Sequence, residues 1–362
     1  MFVKRLVLEN YRCFDEADIE FDERVTVITG PNGSGKTAIL DSLSIFLSLL
    51  NILSKKAGIL INSFKEDDLK KGSKYDYIKY KIEFDLRSFE CIVRSGYDGV
   101  LNVLHNDYMQ LAQTIEKSQV VFPILVCYSS DRTFYPDDVR LKNDDYILDD
   151  KAAFKNGFLP KLDYISTLKW FKSLDIQEAR HVRANKDLGF RLRELQAVKD
   201  VIVRMMNHRY DSPCLDDSGR ELVLKDTLSD HYFRLSQLSH GFQSVLGLSI
   251  DLARRMAQAN GNIYPESVLD SPAIVMIDEV DLHLHPSWQT CILPDLLEVF
   301  PKTQFIVTTQ SSLVVASVPP RHVRILGPNR VGTVPFDLPW DDHSLILETV
   351  FGVPSRRTDK SL

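Results

Sequence analysis

Hydrophobic and polar positions along the chain have the periodicity of strands near the N-terminus. Phe2–Leu8 and Tyr75–Arg94 alternate between apolar and polar residues, which predicts strands of an antiparallel sheet. Arg24–Thr29 is a β-branched run that stops at Gly30, and Ala38–Leu53 has the spacing of a helix. Residues 24–53 therefore predict a strand, a glycine-rich loop and a helix in succession.

The middle of the chain predicts helices. Leu162–Ala184 and Leu188–Met206 have helical spacing, and the second places its apolar residues on one face. Asp211–Gly219 predicts a turn, and Glu221–Lys225 predicts a short strand. We interpret this part as an inserted helical subdomain.

Strand patterns return toward the C-terminus. Val120–Tyr128, Ala273–Ile277 and Thr303–Thr308 are short apolar runs typical of buried strands. We expect a helix over Phe242–Ala259 and another over Pro286–Phe300, which is interrupted near its internal proline, Pro294.

Composition and charge restrict the class of protein. The 362 residues are 44% hydrophobic and 26% charged, values typical of a soluble globular protein. The formal net charge of -6 gives no global electrostatic attraction to nucleic acid. The five cysteines are scattered and odd in number, which favours a reducing cytoplasm. The longest apolar stretch, Ala38–Leu53, is too short and too polar to span a bilayer, so we expect no membrane anchor.

Residues 30–37 carry the strongest chemical motif. They spell GPNGSGKT and match G-x-x-x-x-G-K-[ST], in which glycines let several backbone N–H groups turn toward one anion. We expect Lys36 to bridge the β- and γ-phosphates of ATP and the hydroxyl of Thr37 to bind Mg²⁺. A chance match is the alternative, and the strand–loop–helix context argues against it. The predicted nucleotide-binding residues here are Gly30, Pro31, Asn32, Gly33, Ser34, Gly35, Lys36, Thr37 and Ala38.

An acidic pair follows the predicted strand Ala273–Ile277. Parallel strands deliver their carboxyl ends to the ligand crevice of an α/β sheet. We expect Asp278 to hold the Mg²⁺ shell and Glu279 to orient and deprotonate the attacking water. An ordinary acidic turn is the alternative, and the upstream phosphate loop favours the catalytic interpretation.

The segment LSHGFQ at 238–243 precedes an amphipathic helix and resembles the signature motif of ABC-type ATPases, usually written LSGGQ. Ser239 and the helix N-terminus make a second anion site. In that family the site binds the γ-phosphate held by the opposite subunit, so Ser239 and Gly241 would contact nucleotide across a dimer interface. A helix cap at Ser239 is the alternative, and both roles are compatible.

Several segments occur in the order NYRCF at 10–14, GPNGSGKT, LSHGFQ, IDEVDLHLHP at 277–286 and FIVTTQSS at 305–312. Together they resemble the RecF/SMC/OLD-like branch of ABC ATPases, and within it the compact bacterial ATPases of Septu-type and retron-associated antiphage systems. The resemblance implies an α/β P-loop NTPase of ABC/SMC-head type with a mixed sheet, a flanking antiparallel sheet and an inserted helical subdomain. It divides the chain into an N-terminal part of the head (1–134), the inserted subdomain (135–230) and a C-terminal part of the head (231–362).

The same resemblance implies roles for further residues. Arg12 would reach the phosphates, and Asp281 would occupy the loop that crosses the dimer interface. Gln310 stands where ABC ATPases usually place a switch histidine, and glutamine cannot become cationic. Turnover would then be slow, or Gln310 would orient water beside Glu279 and Lys36. The usual Q-loop glutamine is also missing after Val120–Tyr128, where the chain has Ser129, Ser130, Asp131 and Arg132.

The function implied by this resemblance is an ATP-hydrolysing regulatory subunit of an antiphage system. It would form an ATP-dependent head-to-head homodimer or higher oligomer and gate a partner effector such as an HNH nuclease or a retron complex. A RecF-like DNA-repair clamp and a nucleotide-sensing scaffold with little turnover are the alternatives. A basic stretch contacts nucleic acid in the clamp hypothesis and is otherwise a solvated helix face: Arg180, His181, Arg183, Lys186, Arg191 and Arg193.

Overall fold

Strands and helices make up most of the residues that the structure describes. The computed structural model describes residues 1–53, 64–85, 88–94, 121–132, 150–159, 161–219, 221–260, 263, 267–327, 330–334 and 343–352. The strands in these ranges are β1 (Val3–Tyr11), β2 (Phe14–Glu20), β3 (Val25–Thr29), β4 (Tyr77–Phe84), β5 (Ser88–Arg94), β6 (Ile124–Tyr128), β7 (Tyr210–Leu215), β8 (Leu222–Asp226), β9 (Tyr232–Arg234), β10 (Ala273–Ile277), β11 (Thr303–Thr309), β12 (Val323–Gly327) and β13 (Arg330–Thr333). The α-helices are α1 (Lys36–Leu53), α2 (Tyr164–Asn185), α3 (Arg193–Met205), α4 (His240–Asn260), α5 (Pro286–Gln289), α6 (Ile292–Val299), α7 (Ser312–Ala316) and α8 (His343–Thr349). No helix within the described ranges is long and apolar enough to cross a membrane.

The central sheet has the order β13-β12-β3-β11-β10-β6 among the described strands. Its neighbouring strands are parallel, except for the antiparallel pair β12 and β13. Every residue of β3, β10 and β11 is buried, as expected where a parallel sheet is covered on both faces. The carboxyl ends of these three strands therefore meet at one edge of the sheet.

A second, antiparallel sheet has the order β2-β1-β4-β5. Along β4, buried residues alternate with half-buried ones, which is the pattern of a sheet with one covered face. The alternation in Tyr75–Arg94 thus predicted these two strands correctly. Gln304 of β11 ties the two sheets together, since its side chain bonds both the N–H and the carbonyl of Val3 and also the carbonyl of Asp22.

Helix α1 lies between the two sheets. It contacts β6 and β11 of the central sheet, and Phe46 stacks on Tyr80 of β4 with ring centroids 5.3 Å apart. The tyrosine hydroxyl also donates to the Ser42 carbonyl at 3.1 Å. Ser42 and Ser48 are buried here because each hydroxyl bonds a carbonyl in the preceding turn of the helix. The helix that follows the phosphate loop is therefore covered by protein on both sides.

The middle segment forms a helical hairpin and a small sheet. The apolar face predicted for α3 is buried and packs against α4. The turn expected over Asp211–Gly219 is wrong in its first half, because residues to Leu215 pair with β8 in a three-stranded sheet of order β7-β8-β9. The segment is rich in turn-forming residues, and these do not exclude pairing with the strand predicted next to it at 221–225. The boundaries expected for the inserted subdomain, residues 135 and 230, stay a prediction.

The helix expected over Pro286–Phe300 breaks earlier than the sequence suggested. It is interrupted at Thr290 and Cys291, so Pro294 lies in the first turn of α6 rather than at the break. Proline is tolerated there, because the N–H it lacks would have no partner within the helix.

Candidate nucleotide-binding site

The predicted phosphate loop connects β3 to α1. Its backbone has positive φ at Gly33 (+77°) and Gly35 (+97°). Gly35 has no room for a side chain, since a Cβ there would lie 2.4 Å from Phe14 Cζ and 2.6 Å from Cys13 Sγ. A Cβ on Gly33 would meet nothing within 4 Å, so the outer rim of the loop faces open space. Pro31, Asn32, Gly33 and Thr37 are exposed, Ser34 and Gly35 are half-buried, and Gly30, Lys36 and Ala38 are buried.

Lys36 is folded back over this loop. It is 7% exposed, and its ammonium group donates to the carbonyl of Gly30 at 2.8 Å and to the next carbonyl at 3.0 Å. Burial lowers the pKa of Lys36 from its ordinary value, although the carboxylates of Glu279, Asp278 and Asp281 oppose the shift. The one cation of the loop thus lies within the field of the acidic residues predicted to act with it.

The predicted metal ligands meet at the mouth of the loop. Thr37 Oγ1 donates to Asp278 Oδ2 at 3.0 Å, although 241 positions separate them in the chain. Asp278 Oδ1 accepts from Thr308 Oγ1 at 2.5 Å. A threonine hydroxyl and a carboxylate at the end of a phosphate loop are oxygen donors of the kind that Mg²⁺ prefers.

The loop also fits a bound phosphate chain. The first N–H groups of α1 have no partners within the helix and form its positive end. Ser34 Oγ is buried and has no hydrogen-bond partner in the part of the chain that the structure describes. An unpaired buried hydroxyl beside a curled glycine backbone suits an anionic ligand that would satisfy it.

Glu279 begins the turn that follows β10. Its φ is +48°, a conformation that costs a residue with a side chain about 1–3 kcal/mol and persists only where the surroundings impose it. Here the Glu279 N–H donates to Thr308 Oγ1 at 2.8 Å, and its carbonyl accepts from Arg132 Nη2 at 2.6 Å. Further along, Asp281 Oδ1 accepts from Thr309 Oγ1, and Gln310 is exposed just after β11 ends. The structure thus gathers these predicted residues at one edge.

Sequence reasoning missed the residues that hold this acidic turn. Thr308 and Thr309, which precede Gln310 in the segment FIVTTQSS, bond Asp278 and Asp281. Two hydroxyl residues ending a buried strand could have signalled this, because adjacent parallel strands end at the same edge. Arg132 gave no signal of its own beyond its position after β6.

Arg12 is held by two carboxylates. Its Nε donates to Asp68 Oδ1 at 2.7 Å and its Nη1 to Asp41 Oδ2 at 2.6 Å. Asp41 lies in α1, one turn after Thr37. The guanidinium of Arg12 thus lies beside α1, the helix that begins at the phosphate loop. Its contact with phosphate stays a prediction.

The signature segment lies elsewhere, against the turn after Asp281. Ser239 is exposed, and its hydroxyl accepts from the N–H of Phe242 at 3.5 Å, the geometry of a weak cap at the start of α4. Gly241 is buried so closely that a Cβ would lie 2.5 Å from the His283 carbonyl. The exposed serine at a helix start remains open to a ligand from outside the chain.

The basic stretch forms the tip of the α2–α3 hairpin. Its six basic residues are exposed, as both alternatives require: Arg180, His181, Arg183, Lys186, Arg191 and Arg193. The ring of His181 stacks on Phe190 with centroids 3.7 Å apart, and Glu178 accepts from the N–H of Leu192 at 2.6 Å. The tip is thus an ordered, positively charged projection.

Known proteins are similar to this chain along most of its length. The chain is 27% identical to the "Retron Ec83 probable ATPase" of Escherichia coli, over 96% of this chain and 76% of the relative. It is 23% identical to "Septu protein PtuA" of Bacillus thuringiensis, over 90% of this chain and 76% of the relative. These relatives confirm the resemblance that the motifs predicted.

Fold and family comparisons agree with the topology. A solved structure of an SMC head bound to the C-terminal winged-helix domain of ScpA superposes with a TM-score of 0.50 at 16% identity, covering 92% of this chain and 98% of that one. The expected fold class is confirmed by this likeness. The sequence profile of the AAA domain matches residues 5–200, and a second AAA-domain profile matches residues 127–316. The chain therefore belongs to the AAA-domain family and has the fold of an ABC-type P-loop ATPase head.

Proposed function

We propose that the protein binds ATP with Mg²⁺ and hydrolyses it to ADP and phosphate. The observation that carries the proposal is the contact of Thr37 with Asp278, which joins the phosphate loop to the acidic strand end. Lys36 and the backbone N–H groups of the phosphate loop, which Pro31 lacks, would hold the phosphates, and Thr37 and Asp278 would hold the metal. The bound Mg²⁺ would neutralise charge that develops on the phosphate oxygens.

Catalysis in this proposal depends on Glu279 as the base. Its backbone is held on both sides, so the carboxylate projects from a fixed turn beside Asp278. Gln310 lies at the end of the neighbouring strand, where an amide can orient water but cannot act as a cation. Hydrolysis is therefore expected to be slow.

Two variants test the ATPase assignment. Lys36→Ala should abolish ATP binding measured by calorimetry, and tight binding by this variant would contradict the assignment of the loop. Glu279→Gln should bind ATP normally and release no phosphate. Unchanged phosphate release would show that another group is the base.

The exposed signature serine supports a composite site between two copies of the chain. In this proposal Ser239 and Gly241 contact the nucleotide of the partner, and Asp281 lies near the interface. ATP should then convert monomers of Glu279→Gln into dimers or higher oligomers in analytical ultracentrifugation. Adding Ser239→Arg should prevent this conversion while one chain still binds ATP, and an unaffected dimer would refute the composite site.

We infer from the retron and Septu relatives that this ATPase is a cytoplasmic regulatory subunit of an antiphage system. Its nucleotide state would gate a partner effector such as an HNH nuclease, or a retron complex. Affinity purification of the chain with its neighbouring gene products, with and without ATP, tests this. Recovery of the chain alone in both states would count against a gating role.

A second candidate is a RecF-like DNA clamp, which the exposed basic tip of the α2–α3 hairpin favours. In that case ATP should strengthen binding to bare duplex DNA, with a steep decrease as salt rises. Replacing Arg183 and Lys186 with glutamate should remove this binding. If the ATP-bound dimer shows no affinity for bare DNA at low salt, the clamp is excluded.

A further inference from the structure

Arg132 occupies a buried position between the signature helix and the acidic turn. It follows β6, the parallel neighbour of β10, and is 3% exposed. A guanidinium carries its charge at every physiological pH and is costly to bury without good hydrogen bonds. Its hydrogen bonds therefore identify the groups that stabilise a charge at this position.

The guanidinium bridges two elements. Its Nε donates to Ser244 Oγ at 2.7 Å, in the second turn of α4 after the signature segment. On the other side, Nη1 donates to the carbonyl of Asp278 at 2.5 Å and Nη2 to that of Glu279 at 2.6 Å. Nη1 also donates to the carbonyl of Ser129 at 3.1 Å.

These bonds act where the backbone is strained. Glu279 has a φ of +48°. Arg132 donates to the carbonyl that precedes the N–Cα bond of Glu279, which is that of Asp278, and to the carbonyl that follows it, which is that of Glu279 itself. Five N–H donors in a rigid fork can serve this geometry, whereas a glutamine amide has two N–H groups and a lysine ammonium lacks the planar fork.

Nearby carboxylates partly offset the cost of burying this charge. Burial lowers the pKa of Arg132 to about 10, and the carboxylates of Asp278, Asp281 and Glu279 oppose that shift. Direct contact is nevertheless made with backbone carbonyls and a hydroxyl rather than with those carboxylates. The oxygens that would bind metal and water thus stay unblocked by the guanidinium.

We propose that Arg132 is a positioning residue, which fixes the backbone of Glu279 and couples it to the start of the signature helix α4. The proposal rests on the proposed function, in which Glu279 is the base. A shift of α4 when Ser239 engages a nucleotide would pull on Ser244 and, through one guanidinium, on the turn that carries the base. Nucleotide binding at the signature segment would thereby affect the position of the base, Glu279.

Arg132→Gln and Arg132→Lys test the positioning role. Both should lower kcat on the order of 10²-fold, the effect of misplacing a catalytic group by about 1 Å, while the Kd for ATP changes less than about threefold. Arg24→Gln is the matched control, because Arg24 also donates to three carbonyls, those of Leu297, Phe300 and Thr303, at the opposite end of β3 from the phosphate loop. It should lower Tm as much as the Arg132 variants and leave kcat unchanged.

Ser244→Ala isolates the link to the signature helix and keeps the bonds to the acidic turn. It should lower kcat about tenfold with an unchanged Kd for ATP, the effect of one charge-assisted hydrogen bond. Combined with Arg132→Gln it should add nothing further, because the partner is already absent. This variant keeps the test decisive if Arg132→Gln fails to fold.

The outcomes distinguish a failure of the coupling from a failure of the ATPase assignment. If Glu279→Gln abolishes turnover while Ser244→Ala and the foldable Arg132 variant keep the wild-type kcat, the coupling is refuted and the ATPase assignment stands. Equal losses of kcat in Arg24→Gln and Arg132→Gln would show a merely structural role and would refute it too. If Glu279→Gln itself retains turnover, the base is wrong and the coupling falls with it.

Discussion

Asp251 of α4 holds three buried side chains together. It is 3% exposed and accepts from the Tyr128 hydroxyl at 3.0 Å, from Arg254 at 2.7 Å and from Arg255 at 2.7 Å. Both arginine side chains are 1% exposed. One carboxylate therefore balances two buried cations and connects α4 to the end of β6.

Asp251→Asn keeps the shape of the side chain and removes its charge. Breaking a buried ion pair from one side costs about 3–5 kcal/mol, because the remaining charge is left uncompensated. Two guanidinium groups lose their counterion here, so we expect a loss near the upper limit, about 5 kcal/mol. Domains are typically stable by about 5–15 kcal/mol, so the variant should be close to unfolding.

An exposed pair in the same protein gives the control. Arg5 and Asp18 form a similarly short ion pair, but their side chains are 38% and 42% exposed. Asp18→Asn should therefore cost less than about 1 kcal/mol. The free energies of unfolding of both variants can be measured by urea titration followed by circular dichroism. A loss below about 1 kcal/mol in Asp251→Asn, or equal losses in the two variants, would show that Asp251 does not compensate the two buried cations.

The pH dependence of this difference has a defined sign. Burial alone would raise the pKa of Asp251, but Arg255 and Arg254 outweigh it and the pKa lies below the ordinary value. A carboxyl whose pKa is lowered by folding adds stability above its unfolded pKa, about 3.9, and loses it as pH falls through the folded pKa. The gap between wild type and Asp251→Asn should therefore be constant above about pH 5 and shrink in more acidic solution.

Three further substitutions have expected outcomes. Gly35→Ala should weaken ATP binding in calorimetry more than Gly33→Ala does, because only the first places a Cβ against Phe14 and Cys13; equal losses would contradict this. Thr308→Val removes the hydroxyl that bonds Asp278 and Glu279, so kcat should fall at least about tenfold while ADP still binds. Gln304→Leu leaves the bonded groups of Val3 and Asp22 unpaired and should cost about 2–3 kcal/mol in urea unfolding, whereas a neutral result would mean that water replaces the amide.

Local sequence patterns predicted the parts of the fold that local physics determines. The β-branched run before Gly30 and the apolar run before Asp278 became β3 and β10, because buried parallel strands are recognisable from composition alone. The contact of Thr37 with Asp278 followed from the rule that such strands end at one edge. The sequence thus predicts the phosphate loop and the meeting of Thr37 with Asp278, and their binding of a metal stays a prediction.

What the sequence did not reveal depends on contacts between distant segments. Arg132 is one arginine among many until β6 is placed beside β10 and α4, and three of its four hydrogen bonds depend on that placement. The segment DSPCLDDSG at 211–219 is rich in turn-forming residues, so local composition predicts a turn although its first half pairs with the nearby strand β8. Proline alone predicts the helix break at Pro294, whereas its position within the helix decides whether it interrupts the helix.

The placement of α1 between two sheets has a consequence for nucleotide affinity. A helix supported from both sides cannot tilt without disturbing the Phe46–Tyr80 stack on one side and the central strands on the other. Its N-terminus is thus supported on two sides, and any movement in the proposed ATP cycle is expected in the parts that close upon it. Loosening the stack should consequently weaken ATP binding, although neither ring belongs to the phosphate loop.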